Sequence, residues 1–261
     1  MNPMTEGSPV KNQSILVVVA HPDDETMLAG GTLALASSCG WQTHLLCATR
    51  GEGGEMGEPP VCSREDLPRV REQELHCAAQ ALGVTTVSLL DCVDPLVGPD
   101  EALYAFTDDE NGLAHRISTV IERLSPDYVL THGSDGEYGH PGHQVLFRAA
   151  FLAVTEMRSG PALYTFAARV PGIEDHLWNQ SQLAHLALDI RPWLDAKEEA
   201  ALCYVTQHTL FKRRRGAETI REVLRTVESF HCHHPRVDYL PEDRFADMLI
   251  AAGAWYPTVT G

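Results

Sequence analysis

Residues 15–25 of the 261-residue chain read ILVVVAHPDDE, and this stretch decides how the rest of the sequence is interpreted. Its first six residues are apolar without interruption and rich in β-branched side chains. Such a run is typical of a strand buried on both faces of a parallel sheet, because a strand with one solvated face alternates. The histidine and three carboxylates that follow would lie at the carboxyl end of that strand, where open α/β sheets bind ligands.

Similar apolar runs, separated by longer segments with helical periodicity, recur along most of the chain. We predict strands at residues 15–20, 44–49, 86–91, 128–131, 163–168 and 186–190, and helices at residues 26–38, 68–82, 111–124, 144–155 and 192–206. Alternating strands and helices imply right-handed crossovers. The sequence therefore predicts a Rossmann-like, three-layer α/β/α fold with a mostly parallel sheet whose strands follow the order 3-2-1-4-5.

The length indicates one domain over residues 1–261, with a polar tail at residues 1–13 and a helical C-terminal extension from about residue 211. The 20 Lys and Arg against 36 Asp and Glu give a net charge of −16, which disfavours nucleic acid and anionic membranes as partners. No apolar run is long enough for a signal peptide or a membrane span. Seven cysteines without a CxxC pair favour free, reduced thiols, so we expect a cytoplasmic protein.

The sequence AHPDDE, residues 20–25, is the first candidate for a chemical role. Three adjacent carboxylates repel one another at low dielectric unless they are solvated or a cation lies among them. A histidine nitrogen and one aspartate oxygen are ligands that Zn²⁺ accepts, while another carboxylate would remain free as a base. The alternative is a solvated turn that only caps the helix starting near Thr26.

The sequence THGSDGEYGHPGH, residues 131–143, is the second candidate. Its last two histidines, His140 and His143, flank a proline that marks the entry into a helix. Surface histidines would explain this common spacing equally well. In the predicted sheet, however, strands one and four are neighbours at the switch point, so His21, Asp24 and His143 would meet there. Three protein ligands with one open position are the pattern of a catalytic zinc site.

Together, AHPDDE and GHPxH resemble the PIG-L/LmbE-like family of zinc-dependent N-deacetylases. The segments TRGEGG (residues 49–54), RxxELxxAAxxLGV (residues 71–84) and KxxAxxxxxTQH (residues 197–208) are also similar, so the resemblance covers about residues 14–210. It implies an LmbE-like fold, one zinc ion per chain, and removal of an acetyl group from an N-acetylglucosamine-type unit. The family's substrates include glucosaminyl-inositol, bacillithiol or mycothiol precursors, and glycopeptide or aminoglycoside antibiotics.

The resemblance also implies roles for individual residues. His21, Asp24 and His143 match the metal ligands of the family. Asp23 matches the general base that takes a proton from the attacking water. His140 matches the residue that stabilises the oxyanion and protonates the leaving amine.

Three further residues are expected to contact the substrate, namely Arg71, Arg50 and Glu52. For Arg71, an ion pair with Glu74 or Glu25 is an equally good interpretation. The loops at residues 51–63 and 91–110 both follow predicted strands, and we expect them to determine which substrate binds.

The chain departs from the family pattern at Gly142, because it reads HPGH where HPDH is usual. The missing carboxylate would normally lie near His140 and tune its pKa, so the acid function of His140 is open. Asp135 or Glu137 in the same loop could replace it.

Two other segments have simpler interpretations. HCHH, residues 231–234, is too tightly spaced for a tetrahedral site and is expected to be a loop, with adventitious metal binding as the alternative. KRRRG, residues 212–216, favours a helix end or a solvated face over a recognition surface.

The expected partner is a small N-acyl amino sugar, and a homo-oligomer is left open. Two alternatives for the function also remain. One is a zinc amidase that cleaves a thiol conjugate or another acylated natural product. The other is a non-hydrolytic tailoring or binding protein that keeps the metal pocket, against which the presence of Asp23 argues.

Overall fold

The structure, a computed structural model, describes residues 12–175, 177–237 and 241–257. It therefore leaves residues 1–11 of the predicted N-terminal tail outside the description. Nine strands lie within the described residues: β1 (Ser14–Val19), β2 (Gln42–Thr49), β3 (Thr86–Cys92), β4 (Tyr128–Thr131), β5 (Ala162–Phe166), β6 (Ala168–Arg169), β7 (Asn179–Leu183), β8 (Leu186–Asp189) and β9 (Val227–His234).

Helices precede or follow most of these strands. Their bounds are α1 (Asp24–Ser38), α2 (Leu67–Ala81), α3 (Glu110–Leu124), α4 (Gly136–Gly139), α5 (Pro141–Thr155), α6 (Leu194–Cys203), α7 (His208–Arg215), α8 (Ile220–Val223) and α9 (Arg244–Ala251). The five predicted helices correspond to α1, α2, α3, α5 and α6. Among the described residues, no helix is both long and apolar enough to cross a bilayer.

Seven of the strands form one sheet in the order β3-β2-β1-β4-β5-β9-β8. The first five run parallel, whereas β9 is antiparallel to both β5 and β8. The predicted order 3-2-1-4-5 is thus confirmed, as is the mostly parallel α/β fold. Because the strand order reverses beside β1 and β4, the loops after these two strands lie at the switch point of the sheet.

The middle strand β1 is buried along its whole length, as its apolar run predicts. Its alternate residues point to opposite faces. Ile15 and Val17 pack on the side of α1 and α2, while Leu16 and Val18 pack on the side of α3 and α5. The sheet therefore separates two hydrophobic cores, and the segment after β1 emerges between them.

The C-terminal region differs from the expected helical extension. It contains α7, α8 and α9, but it also contributes β9 to the main sheet. The HCHH sequence lies in β9 rather than in a loop, because its backbone pairs with β5. The rings of His231 and His233 lie 4.6 Å apart, and His185 stacks on His231 at 4.2 Å.

The expectation that every cysteine is a free thiol is wrong for two of the seven. Cys77 on α2 and Cys203 at the end of α6 form a disulfide whose Cα atoms are 5.8 Å apart. No CxxC spacing signals this bond, since 126 residues separate the two cysteines. The pairing arises because α2 and α6 pack side by side.

Candidate metal and catalytic site

Four histidines and one aspartate gather in a buried cluster at the carboxyl ends of β1 and β4. Ligand atoms of His21, His140 and His143 lie within 4.8 Å of one another, and so do those of Asp24, His132 and His143. Asp24 links the groups, because its carboxylate oxygens lie 3.4 Å from a ring nitrogen of His21 and from Nε2 of His143. The two loops that the sequence singles out therefore meet at the switch point.

The orientation of His143 is fixed by Glu137, a buried residue of the helical turn α4. The Nδ1–H group of His143 donates to Oε2 of Glu137 at 2.6 Å. The opposite nitrogen, Nε2, is buried and makes no hydrogen bond within the described residues. A histidine that donates one N–H to a carboxylate while its other nitrogen stays free has the arrangement typical of a metal ligand.

Glu137 also holds a histidine that the sequence interpretation missed. His132 donates from Nδ1 to Oε2 of Glu137 at 2.9 Å, and its Nε2 accepts the backbone N–H of Ala20 at 3.1 Å. Since both ring nitrogens are used, His132 braces the end of β1 against the β4 loop. Its position directly after β4 was the available signal.

Gly133 and Asn179 complete the surroundings of the Glu137 carboxylate. The Gly133 N–H donates to Oε1 at 3.0 Å, and Asn179 Nδ2 donates to the same oxygen at 3.1 Å. Burial opposes ionisation of Glu137, but the adjacent His132 and His143 hold its pKa well below the ordinary value. Glu137 does not replace the carboxylate missing beside His140, and neither does Asp135, which binds Ser181.

His21 has a second buried ring nitrogen without a hydrogen bond. Its Nε2 lies 3.2 Å from Oδ1 of Asp94, in a geometry that makes no hydrogen bond. Burial disfavours the charged ring, but Asp24 and Asp94 outweigh it and raise the pKa of His21 to about 10. This corner of the site therefore strongly favours positive charge. The orphaned Nε2 of His21 thus faces Asp94, while the orphaned Nε2 of His143 faces Asp24. Imidazole nitrogens without hydrogen bonds beside carboxylates fit a divalent metal such as zinc.

Asp23 lies beside this cluster in a strained backbone conformation, with φ at 110°. Its Oδ2 accepts a hydrogen bond of 2.9 Å from Nη2 of Arg71. Burial raises the pKa of Asp23 to about 8, although the Arg71 charge opposes the shift. The side chain of Asp23 makes no capping hydrogen bond to α1, so a simple capping turn does not account for the motif.

Arg71 is buried, with 3% of its surface exposed. Besides Asp23, it donates to the carbonyl oxygens of Pro22 and Gly51. The ion pair left open in the sequence is therefore made with Asp23, and not with Glu74 or Glu25. The contact between Arg71 and a substrate stays a prediction.

His140 is held at the start of α5. Its Nδ1 accepts the Gly142 N–H at 3.1 Å, which in the neutral ring leaves the proton on Nε2. Burial and the neighbouring His143 and His21 lower the pKa of His140 to about 2. A Cβ atom at Gly142 would lie 3.2 Å from Cε1 and Nδ1 of His140, so the glycine leaves room for this ring.

Arg50 and Glu52, the other predicted substrate contacts, connect the segment after β2 with helix α2 and with the segment at the end of β3. Arg50 forms ion pairs of 2.6 Å with Glu72 and with Asp91. Glu52 accepts the backbone N–H groups of Arg50 at 3.2 Å and of Asp94 at 2.9 Å. These contacts position Asp94 next to His21, while the predicted contacts with substrate stay untested.

The fold and the site define an α/β protein with a buried histidine–aspartate centre suited to a divalent metal and an adjacent aspartate. The PIG-L family model, described as GlcNAc-PI de-N-acetylase, matches residues 16–154, more than half of the chain. The chain belongs to this family.

Two curated relatives carry names of the same kind. A probable N-acetyl-α-D-glucosaminyl L-malate deacetylase 2 of Bacillus cereus is 32% identical over 145 residues, which are 55% of this chain and 61% of that protein. A 1D-myo-inositol 2-acetamido-2-deoxy-α-D-glucopyranoside deacetylase 1 of Catenulispora acidiphila is 30% identical over 217 residues, 78% of this chain and 67% of that protein. The matched part of the chain thus spans about two thirds of these relatives or less.

Solved structures share the fold at low identity. The N,N'-diacetylchitobiose deacetylase of Pyrococcus horikoshii aligns with a TM-score of 0.61 and 18% identity, covering 85% of this chain and 84% of that one. The 4-carboxy-2-hydroxymuconate hydratase of Pseudomonas putida aligns with a TM-score of 0.60 and 22% identity, covering 88% and 99%. Because a hydratase shares it, the fold alone does not decide the reaction.

Proposed function

We propose that the protein is a zinc-dependent N-deacetylase that removes an acetyl group from an N-acetylglucosamine-type unit of a small metabolite or antibiotic. The observation that carries this proposal is the orphaned Nε2 of His143, which Glu137 orients towards Asp24 and His21, with Asp23 directly beside them. Family membership and the names of the relatives support the same reaction.

His21, Asp24 and His143 would hold the metal. A metal ligand must be a neutral imidazole or an ionised carboxylate. Burial and the nearby His132 lower the pKa of His143, while His143 and His132 together outweigh burial and hold the pKa of Asp24 well below its ordinary value. His21, whose pKa is raised to about 10, would release its proton when a metal binds. When bound, zinc supplies Lewis acidity that polarises the amide carbonyl and acidifies water.

Asp23 is the general base in this proposal. Arg71 occupies its Oδ2, so Oδ1 is the oxygen that would accept the proton of the attacking water. A pKa near 8 makes this carboxylate a stronger base than an exposed aspartate. As the new C–O bond forms and the C–N bond breaks, the same proton can pass to the departing nitrogen, which leaves as the free amine beside acetate.

His140 is assigned the donation of a hydrogen bond from Nε2–H to the carbonyl oxygen as it becomes negative. The resemblance also implies that His140 protonates the leaving amine. A ring whose pKa lies near 2 is neutral at working pH, and its remaining proton is a poor acid. We therefore assign the delivery of the proton to Asp23 and keep only oxyanion stabilisation for His140.

Acetate release from N-acetylglucosamine, GlcNAc-inositol and GlcNAc-malate tests the proposal, using purified protein with and without a chelator. We expect zinc to restore activity to chelated protein, and His143→Ala to remove both metal binding and turnover. Asp23→Asn should keep the metal but lose about 10²–10⁴-fold in kcat, the usual cost of losing a general base.

Asp189→Asn is the matched control. Asp189 lies on β8, away from the histidine cluster, and its carboxylate pairs with Arg191. It should retain the wild-type rate. Full activity in metal-free protein, or a metal content that falls with Asp23→Asn, would contradict the assigned roles. Binding of these sugars without acetate release would favour the non-hydrolytic alternative.

A further inference from the structure

Three consecutive arginines on helix α7 contact three different segments of the chain. Arg213 forms an ion pair of 2.5 Å with Glu55, in the loop at residues 51–63. Arg215 forms an ion pair of 3.2 Å with Asp175, which lies before β7. The sequence KRRRG is therefore more than the solvated helix end that its composition indicates.

The middle arginine, Arg214, contacts Tyr138, which lies beside two histidines of the candidate site. Its guanidinium carbon lies 5.3 Å from the ring centroid of Tyr138. The Tyr138 ring stands edge-on to His140 and to His143, at 5.7 Å from each. Arg214 is consequently within about 11 Å of the His140 ring, the sum of these two distances.

Arg214 also differs from its neighbours because it forms no ion pair within the described residues. Arg213 and Arg215 each pair with a carboxylate, whereas Arg214 is exposed and has no carboxylate within 4 Å among the described residues. Basic side chains near a helix C-terminus are stabilised by the helix dipole, but that effect needs no contact with Tyr138. Arg214 is thus a cation that contacts Tyr138 and lacks a carboxylate partner within the described residues.

We propose that Arg214 selects substrates whose aglycone carries an anionic group, either a carboxylate or a phosphate. This inference rests on the proposed deacetylase function. The acetamido group of an N-acetylglucosamine unit is one carbon from the anomeric position. With the acetamido group at His143, an anion attached through that position would lie only a few bonds away, and Arg214, within about 11 Å of the His140 ring, is near enough to bind it. In a chain with a net charge of −16, a local cation is needed to attract such a substrate.

The test compares three substrates that share the sugar and differ in the aglycone: neutral GlcNAc-inositol, the carboxylate GlcNAc-malate and N-acetylglucosamine 1-phosphate. We expect wild-type kcat/KM to be higher for at least one anionic substrate than for the neutral one. Arg214→Gln should reduce that ratio by about tenfold, because a hydrogen bond to a charged group is lost. The two anionic arms distinguish a carboxylate site from a phosphate site.

Arg213→Gln is the matched control, because it removes the same charge from the same helix but from an arginine already paired with Glu55. It should change the ratio by less than twofold, and Arg214→Lys should retain part of the preference. An unchanged ratio in Arg214→Gln, or an equal change in Arg213→Gln, would overturn the inference.

Failure of the deacetylase proposal gives a different result, namely no acetate from any of the three substrates. Calorimetric binding of GlcNAc-malate, N-acetylglucosamine 1-phosphate and GlcNAc-inositol to zinc-loaded wild type and Arg214→Gln then still decides the role of Arg214. Weaker binding of an anionic sugar to the variant supports the inference, and equal binding of all three to both proteins refutes it.

Discussion

Glu137 is the residue on which the candidate metal site depends most, and Glu137→Gln is the sharpest perturbation of it. The Glu137 carboxylate accepts four hydrogen bonds, from His132, His143, Gly133 and Asn179. All four partners donate. A glutamine keeps the shape but offers one acceptor oxygen and one NH₂ donor. Two of the four donors therefore lose their acceptor whichever way the amide is turned.

The magnitude follows from two effects. A buried donor left without an acceptor costs about 1–3 kcal/mol, so the free energy of unfolding should fall by about 2–6 kcal/mol. Loss of the carboxylate that orients a metal-binding histidine typically lowers metal affinity by about 10–100-fold. We expect both losses in Glu137→Gln, since one carboxylate fixes His143 and braces the loop after β4.

Urea unfolding of the metal-free protein and competitive titration with a zinc chelator measure the two effects separately. Glu228→Gln is the matched control. Glu228 is also a buried carboxylate, accepting from Gly31, Thr32 and Lys197, but it lies on β9 away from the cluster. It should lose stability and keep its zinc affinity. A Glu137→Gln protein that binds zinc within twofold of wild type would refute the assignment of His143 as a ligand oriented by Glu137.

Two further perturbations test the surroundings of the site. Arg71→Met removes the cation that lowers the pKa of Asp23, so this pKa should rise above about 8. Because the base must be deprotonated, the acidic limb of the kcat/KM profile should move to higher pH. An unmoved limb would show that Arg71 does not set the pKa of the catalytic base. Cys203→Ser opens the bond with Cys77, whose residues are 126 positions apart, for which the chain-entropy model gives an upper figure of about 5 kcal/mol. Urea midpoints should fall in the variant and in reduced wild type alike, whereas a midpoint insensitive to reduction in wild type would contradict a stabilising disulfide.

The sequence predicted those parts of the fold that local patterns specify. An uninterrupted apolar run identifies β1 because a strand in the middle of a parallel sheet is buried on both faces. The order of the first five strands is the one expected of a doubly wound sheet, which the alternation of strands and helices predicted. This order alone was enough to bring His21 and His143 to one site.

Long-range contacts could not be predicted in the same way. The positions of Arg71 beneath Asp23 and of Cys77 beside Cys203 depend on how α2 packs against its neighbours. β9 was missed because its sequence, VESFHCHH, is polar for a strand, yet it fills the space beside β5 and supplies the antiparallel end of the sheet. Glu137 was considered only as a partner for His140, since nothing in the spacing reveals which histidine it faces.

The three consecutive acids Asp23, Asp24 and Glu25 show how packing gives chemically similar groups different pKa values. Asp24 faces His143 and His132, which overcome the cost of burial and keep it ionised. Glu25 lies beneath the site, where burial raises its pKa and Tyr204 and Thr26 donate to its Oε1. Asp23 is paired with Arg71, and burial raises its pKa to about 8. A carboxylate that stays charged suits a cation, whereas one that titrates near neutral pH suits proton transfer. The different roles proposed for Asp24, as a metal ligand, and Asp23, as a base, thus follow from the different surroundings of these neighbouring residues.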